Sequence, residues 1–224
     1  MATQTQTRPK STPASQVGDR ATARALLKTH GMTYAEQAGI TLRNTPSPLY
    51  QLLVLSLLLS ARIRADVAVA AARALFDAGM KDARRMAEAT WQQRVDALGE
   101  GHYRRYDERT STQLGEGAEL LLRKYKGDLR RMREAGDVPE RLREVPGIGP
   151  TGVDIFLREV QDVWPEFGPY FDQKAQQGAE RLGLPTDPSK LAGLVAKRDW
   201  ARFAAGLVRA ALDKKVVEDV REAV

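Results

Sequence analysis

The residues with most chemistry to offer are concentrated in one stretch. Val145, Pro146, Gly147, Ile148, Gly149, Pro150 and Thr151 run between two short apolar-periodic segments, and Asp172 follows in the phrase Pro169-Tyr170-Phe171-Asp172. Glycines at 147 and 149 permit backbone conformations closed to other residues, and Pro150 suits the first position of a helix. A turn of this kind leaves the amides of Gly147, Ile148 and Gly149 at the positive end of a helix dipole, with no side chain on the glycines to obstruct them. That arrangement suits a phosphate oxygen and grips a nucleic-acid backbone without reading bases. A carboxylate such as Asp172 can face a developing cation or help deprotonate a water, although the same residue type is equally at home capping a helix. The sequence contains no cysteine, which excludes disulfides, thiolate zinc, thiol nucleophiles and cysteine-held iron–sulfur clusters. With only two histidines, His30 and His102, far apart in the chain, no metal site is expected.

The elements that must position these residues read as helices throughout. Leu142 and Val145 give the segment before the turn its apolar side, while Val153, Phe156, Leu157 and Val160 follow helical spacing after it. Residues 138–160 therefore form a helix, a tight turn and a second helix packed together. Upstream, residues 49–59 (LYQLLVLSLLL) are apolar on every side and too short to span a bilayer, so they predict a buried central helix, with Ser47 as cap and Pro48 in the first position. Further stripes appear at Val67, Ala71, Ala74 and Leu75, at Met86, Val95 and Leu98, across residues 117–125, and at Leu191, Leu194, Trp200, Phe203, Leu207 and Val208. Residues 99–103 (GEGHY) read as a loop. Aromatics are sparse at 6%, and runs of strand formers are hard to find, so the fold class is all-α.

The charge balance, 35 Lys and Arg against 29 Asp and Glu, gives +6 and favours an anionic partner without identifying it. The run RKYKGDLRRMR, residues 123–133, fits a phosphate-binding surface and a solvated helix face equally well. Residues 1–16 are polar and predict a disordered tail. No targeting or spanning segment is visible, which gives a cytoplasmic expectation, nucleoid-associated in a bacterium.

The phrase from Val145 to Val153 resembles the helix–hairpin–helix signature of DNA repair glycosylases of the endonuclease III superfamily. Asp172 stands where that family places its catalytic aspartate, and SPLYQLLVLSLLLSAR, residues 47–62, is similar to the family's first buried helix and the loop after it. The resemblance covers residues 20–212. It implies a two-lobe helix–hairpin–helix glycosylase fold, with residues 42–158 a six-helix lobe carrying the hairpin and residues 17–41 plus 159–224 a second lobe built from both chain ends. It also implies a monomeric DNA N-glycosylase of base-excision repair that acts on double-stranded DNA, away from membranes, and swings a damaged or mismatched base out of the duplex. Three departures matter. Thr151 stands where strand-cutting members carry a lysine nucleophile, so the expected enzyme is monofunctional. The iron–sulfur cysteines of some branches are missing, so no cofactor is expected. Arg62 replaces a glutamine that members present to the gap left by the flipped base.

By that resemblance Asp172 is the catalytic residue; Gly147, Ile148, Gly149, Thr151, Arg62, His102 and Tyr103 contact DNA; and Tyr170 and Phe171 line the base pocket. Asp154 and Arg158, four apart on one helix, are expected to form a plain ion pair. Two rivals stay open: a non-catalytic DNA-binding module on the same fold, and an abasic-site lyase using another lysine such as Lys174.

Overall fold

The computed structural model describes residues 13–224, and all of its regular secondary structure is helical. In chain order the α-helices are α1 (Pro13–His30), α2 (Tyr34–Gln37), α3 (Pro46–Ser60), α4 (Ala65–Asp77), α5 (Ala83–Glu88), α6 (Trp91–Glu100), α7 (Asp107–Tyr125), α8 (Leu129–Glu134), α9 (Val138–Arg143), α10 (Pro150–Val160), α11 (Gln173–Arg181), α12 (Pro188–Ala192), α13 (Trp200–Leu212) and α14 (Lys214–Glu222). Of the tail expected over residues 1–16, residues 1–12 lie outside the described residues and 13–16 open α1. No helix among the described residues is long and apolar enough to cross a membrane.

The apolar run became the central helix. In α3 every residue from Leu49 to Leu58 except Gln51 is buried, so the helix packs on all sides, against α4, α8 and α10. Its start differs from the expectation. Pro46 takes the first position behind Thr45, and the Ser47 hydroxyl donates to the Lys81 carbonyl at 2.8 Å instead of capping. The short helices α5, α8, α9 and α12 each begin at an aspartate, Asp82, Asp128, Asp137 and Asp187, whose carboxylate accepts a first-turn amide.

Around α3 one group of helices runs α3 to α4, α4 to α6, α6 to α7 and α7 to α5 and α8. At the other side the chain ends meet: α1 packs on α13 and α14, and α13 on α11. Arg202 and Arg209 from α13 pin the end of α1, donating to the carbonyls of Gly31 and of His30 and Met32. Helix α10 touches both groups, with α3 on one flank and α13 on the other. That helix carries the hairpin at its N-terminus.

Candidate active site

The hairpin forms as expected between α9 and α10. Gly147 has φ +87°, a conformation that L side chains avoid, and a Cβ there would stand 2.8 Å from Gln113 Oε1 and 3.1 Å from Leu57 Cδ1. Gly149 is extended, and a Cβ there would meet nothing within 4 Å. The amides of Gly147 and Gly149 have no acceptor among the described residues, and α10 has no side-chain cap. Ile148 differs from the expectation: its amide donates to the Val145 carbonyl at 3.0 Å and its side chain is buried. The turn closes on itself through that amide, leaving the two glycines and the first turn of α10 to meet an anion.

Helix α10 also holds the segment that delivers Asp172. The buried Gln161, one residue past the helix, accepts from the Tyr170 amide at 2.9 Å and donates to the carbonyls of Arg158 at 2.8 Å and Tyr170 at 3.2 Å. The Tyr170 hydroxyl donates to Asp154 Oδ1 at 2.6 Å, and both burial and that carboxylate push the phenol pKa upward. Asp172 then caps α11, with Oδ1 accepting the Ala175 amide at 2.7 Å. Its Oδ2 accepts a charged hydrogen bond from Arg158 Nη1, and both side chains are only 4% exposed. The expected ion pair of Arg158 with Asp154 is therefore corrected: Asp154 is taken by Tyr170, and Arg158 reaches across to the returning chain.

These groups open onto a cleft of ≈ 380 Å³ between α10, α11, the end of α13 and the turn after α3. Thr151, Asp154, Arg158 and Asp172 contribute polar atoms, Lys174 stands at the edge, and Tyr34, Leu59, Ile63, Ile155 and Val208 supply apolar wall. Leu212, 61% exposed, forms part of the rim. The structure thus brings together Asp172 and Thr151. Arg62 is exposed beside the cleft-lining Ala61 and Ile63.

Other expected site residues stand elsewhere. Tyr103 is 1% exposed, so it is a core residue and is not presented to DNA. His102 beside it is exposed in a left-handed turn (φ +61°) and does not line the cleft. Phe171 is buried edge-on against Phe203 at 5.8 Å, which removes it from a base pocket, and Tyr170 is committed to Asp154 and Gln161. Three of the six cations in the run 123–133 are paired in place, with Lys124 bonded to Glu144 at 2.6 Å, Arg130 to Asp128 at 2.7 Å and Arg133 to Glu166. This pattern favours its reading as a solvated face.

Three site residues escaped sequence reasoning: Tyr34, Gln161 and Glu159. Tyr34 lines the cleft with the Arg209 guanidinium 4.4 Å from its ring centroid, and burial raises its pKa. Its position is fixed by Glu159, fully buried, which accepts the amides of Tyr34 at 3.1 Å and Ala35 at 2.9 Å. Burial pushes the Glu159 carboxyl upward, and those amides oppose the shift. The local signal for Tyr34 was the capping box Thr33 to Glu36, which places it in the first turn of α2.

No protein-family model matches the chain, and no curated protein matches it. Among solved structures, a non-covalent complex of endonuclease III with DNA is similar over 87% of this chain and 84% of that chain, at 14% identity and a TM-score of 0.55. A trapped endonuclease III–DNA covalent intermediate, an estranged-adenine complex, aligns over 85% of this chain and 84% of that chain, at 13% identity and a TM-score of 0.49. The first of these shows that the chain shares the all-helical fold of endonuclease III.

Proposed function

We propose that this protein is a monofunctional DNA N-glycosylase of the helix–hairpin–helix class, excising a damaged or mismatched base from double-stranded DNA. The observation that carries the reading is the convergence of Asp172, buried and held as an ion pair, with the hairpin end of α10 in one cleft of nucleotide-accepting size. Gly147 and Gly149 hold a phosphate on their free amides, the target nucleotide turns into the cleft, and Asp172 faces the cation that develops at the sugar as the N-glycosidic bond breaks. Thr151 offers no amine at the mouth of the cleft, so water completes the reaction and the strand stays intact. We place the enzyme in the cytoplasm or on the nucleoid, as a monomer working without a cofactor.

One observation favours a second reading. Lys174 lines the same cleft, bonded among the described residues only to Gln177 Oε1 at 2.9 Å, and an amine there would make the protein an abasic-site lyase. Both readings are tested by a single-turnover assay on labelled duplexes, each carrying one lesion or mismatch, analysed with and without alkali. Strand breaks that need alkali support the monofunctional glycosylase. Breaks without alkali, lost in Lys174→Ala, support the lyase. Tight, salt-sensitive binding with no breaks on any duplex would leave the non-catalytic module.

A further inference from the structure

The guanidinium of Arg158 is the least satisfied polar group in the cleft. Its side chain is 4% exposed, yet its only hydrogen bond among the described residues is from Nη1 to Asp172. Nε is closed off from solvent without an acceptor, and Nη2 has no acceptor among the described residues yet is still reached by solvent. Leaving N–H groups of a buried guanidinium unpaired is costly. The side chain lines the cleft, so Nη2 is the donor that a group entering the cleft can meet.

From this we infer that Arg158 selects the substrate: the cleft takes a neutral base whose edge carbonyl oxygen accepts a hydrogen bond from the free Nη2 of Arg158, and rejects cationic alkylated bases. The inference rests on the glycosylase reading and names its substrate class. Asp154, Asp172, Arg158 and Lys174, the charged residues that line the cleft, together carry no net formal charge, so the cleft is matched to a neutral ligand. The wall formed by Tyr34, Leu59, Ile155 and Val208 suits a flat ring and would leave a phosphate partly unsolvated. A ring already bearing positive charge would meet the buried guanidinium at close range.

The ion pair also matches the charge that moves during the reaction. When the bond between the sugar C1′ and the base nitrogen breaks, its electron pair goes to the base and spreads onto the carbonyl oxygen, while C1′ becomes positive. Arg158 stabilises the first and Asp172 the second, each more strongly than in the intact nucleotide. Water then bonds to C1′ through its oxygen, and one of its protons ends on the base, giving a neutral free base and a hydroxylated sugar.

The test uses the full-length protein on duplexes carrying uracil, 5-hydroxyuracil or 3-methyladenine, with Arg158→Lys as the variant that keeps the charge but loses the planar fork. The wild type is expected to release the two carbonyl bases and to leave 3-methyladenine at its spontaneous rate. Arg158→Lys, confirmed folded by circular dichroism, should slow release of the carbonyl bases about tenfold or more. Its affinity for a duplex with a tetrahydrofuran abasic site should match that of the wild type. Release of 3-methyladenine at a comparable rate would overturn the inference and leave the glycosylase reading intact. Equal weakening on the abasic duplex would also overturn it, because the acceptor would then be a phosphate. If no base is released from any duplex the glycosylase reading fails, and selectivity is read from binding to uncleavable 2′-fluoro nucleotides. Tighter binding of 2′-fluorouridine than of its 3-methyladenine counterpart would still support selection by Arg158, and equal binding would refute it.

Discussion

Replacing Asp172 with Asn removes a charge from a site that solvent barely reaches, and its consequence for stability can be worked through atom by atom. Asparagine caps helices as well as aspartate, so its Oδ1 keeps the Ala175 amide and the start of α11 is preserved. Its Nδ2 then faces Arg158 Nη1, donor against donor, and the guanidinium loses its only acceptor among the described residues while its side chain remains 4% exposed. Breaking one side of a buried pair costs about 3–5 kcal/mol. Arg158→Met alone strands the carboxylate, which can still take up a proton, so its cost is smaller. The double variant Asp172→Asn/Arg158→Met removes both charges and should return to within about 2 kcal/mol of the wild type, because a buried pair replaced by apolar packing is often neutral. Urea unfolding followed by circular dichroism across the four proteins yields the coupling energy, expected at about 2 kcal/mol or more. A cost below about 1 kcal/mol for Asp172→Asn, with no coupling to Arg158, would refute the reasoning, because the pair would then be solvated or dispensable.

The hairpin glycines should separate folding from binding. Gly147→Ala forces a left-handed residue against Gln113 and Leu57 and should cost about 1–3 kcal/mol in urea unfolding, whereas Gly149→Ala, with open space at its Cβ, should leave stability unchanged and weaken duplex binding in a fluorescence titration. Gln161→Ala strands three backbone groups beside Asp172 and should cost about 1–3 kcal/mol, with a lower rate of base release at saturating DNA. Asp162 is an exposed residue at a hollow it shares with Glu36, Glu159, Arg198 and Arg202, and partial desolvation of its carboxyl, reinforced by Glu159, Asp199 and Glu36, pushes it up to about 6. The native protein holds that proton more tightly than the unfolded chain. The resulting stability is fully present below the ordinary value of 3.8 and is lost as pH rises through about 6. Asp162→Asn should therefore raise Tm at pH 7.5 but not at pH 3.5 in thermal scans, by less than about 3 °C because the side chain keeps contact with solvent.

The hairpin and the central helix were legible because their signals are local. Two glycines framed by prolines specify a turn, and an apolar run with no polar face specifies a buried helix. The partner of Arg158 was not legible, since spacing along a helix points only to neighbours on that helix, and the real partner returns from beyond Gln161. The first half of α7, ahead of the stripe over 117–125, was missed because residues 107–116 carry Leu114 as their one large apolar residue and so show no periodicity. Gly115 and Gly117 give close packing there, since a Cβ at Gly115 would strike the Arg94 guanidinium at 2.7 Å and one at Gly117 would press on Val145 at 3.1 Å. Tyr103 and Phe171 carried no pattern that told a buried ring from a presented one.

The most direct measurement is the single-turnover rate of base release by Asp172→Asn against the wild type, on whichever duplex the wild type processes, at a temperature where circular dichroism shows the variant folded. The account predicts a loss of about a hundredfold or more, as expected when the group facing the developing charge is neutralised. An unchanged rate in the folded variant would contradict it.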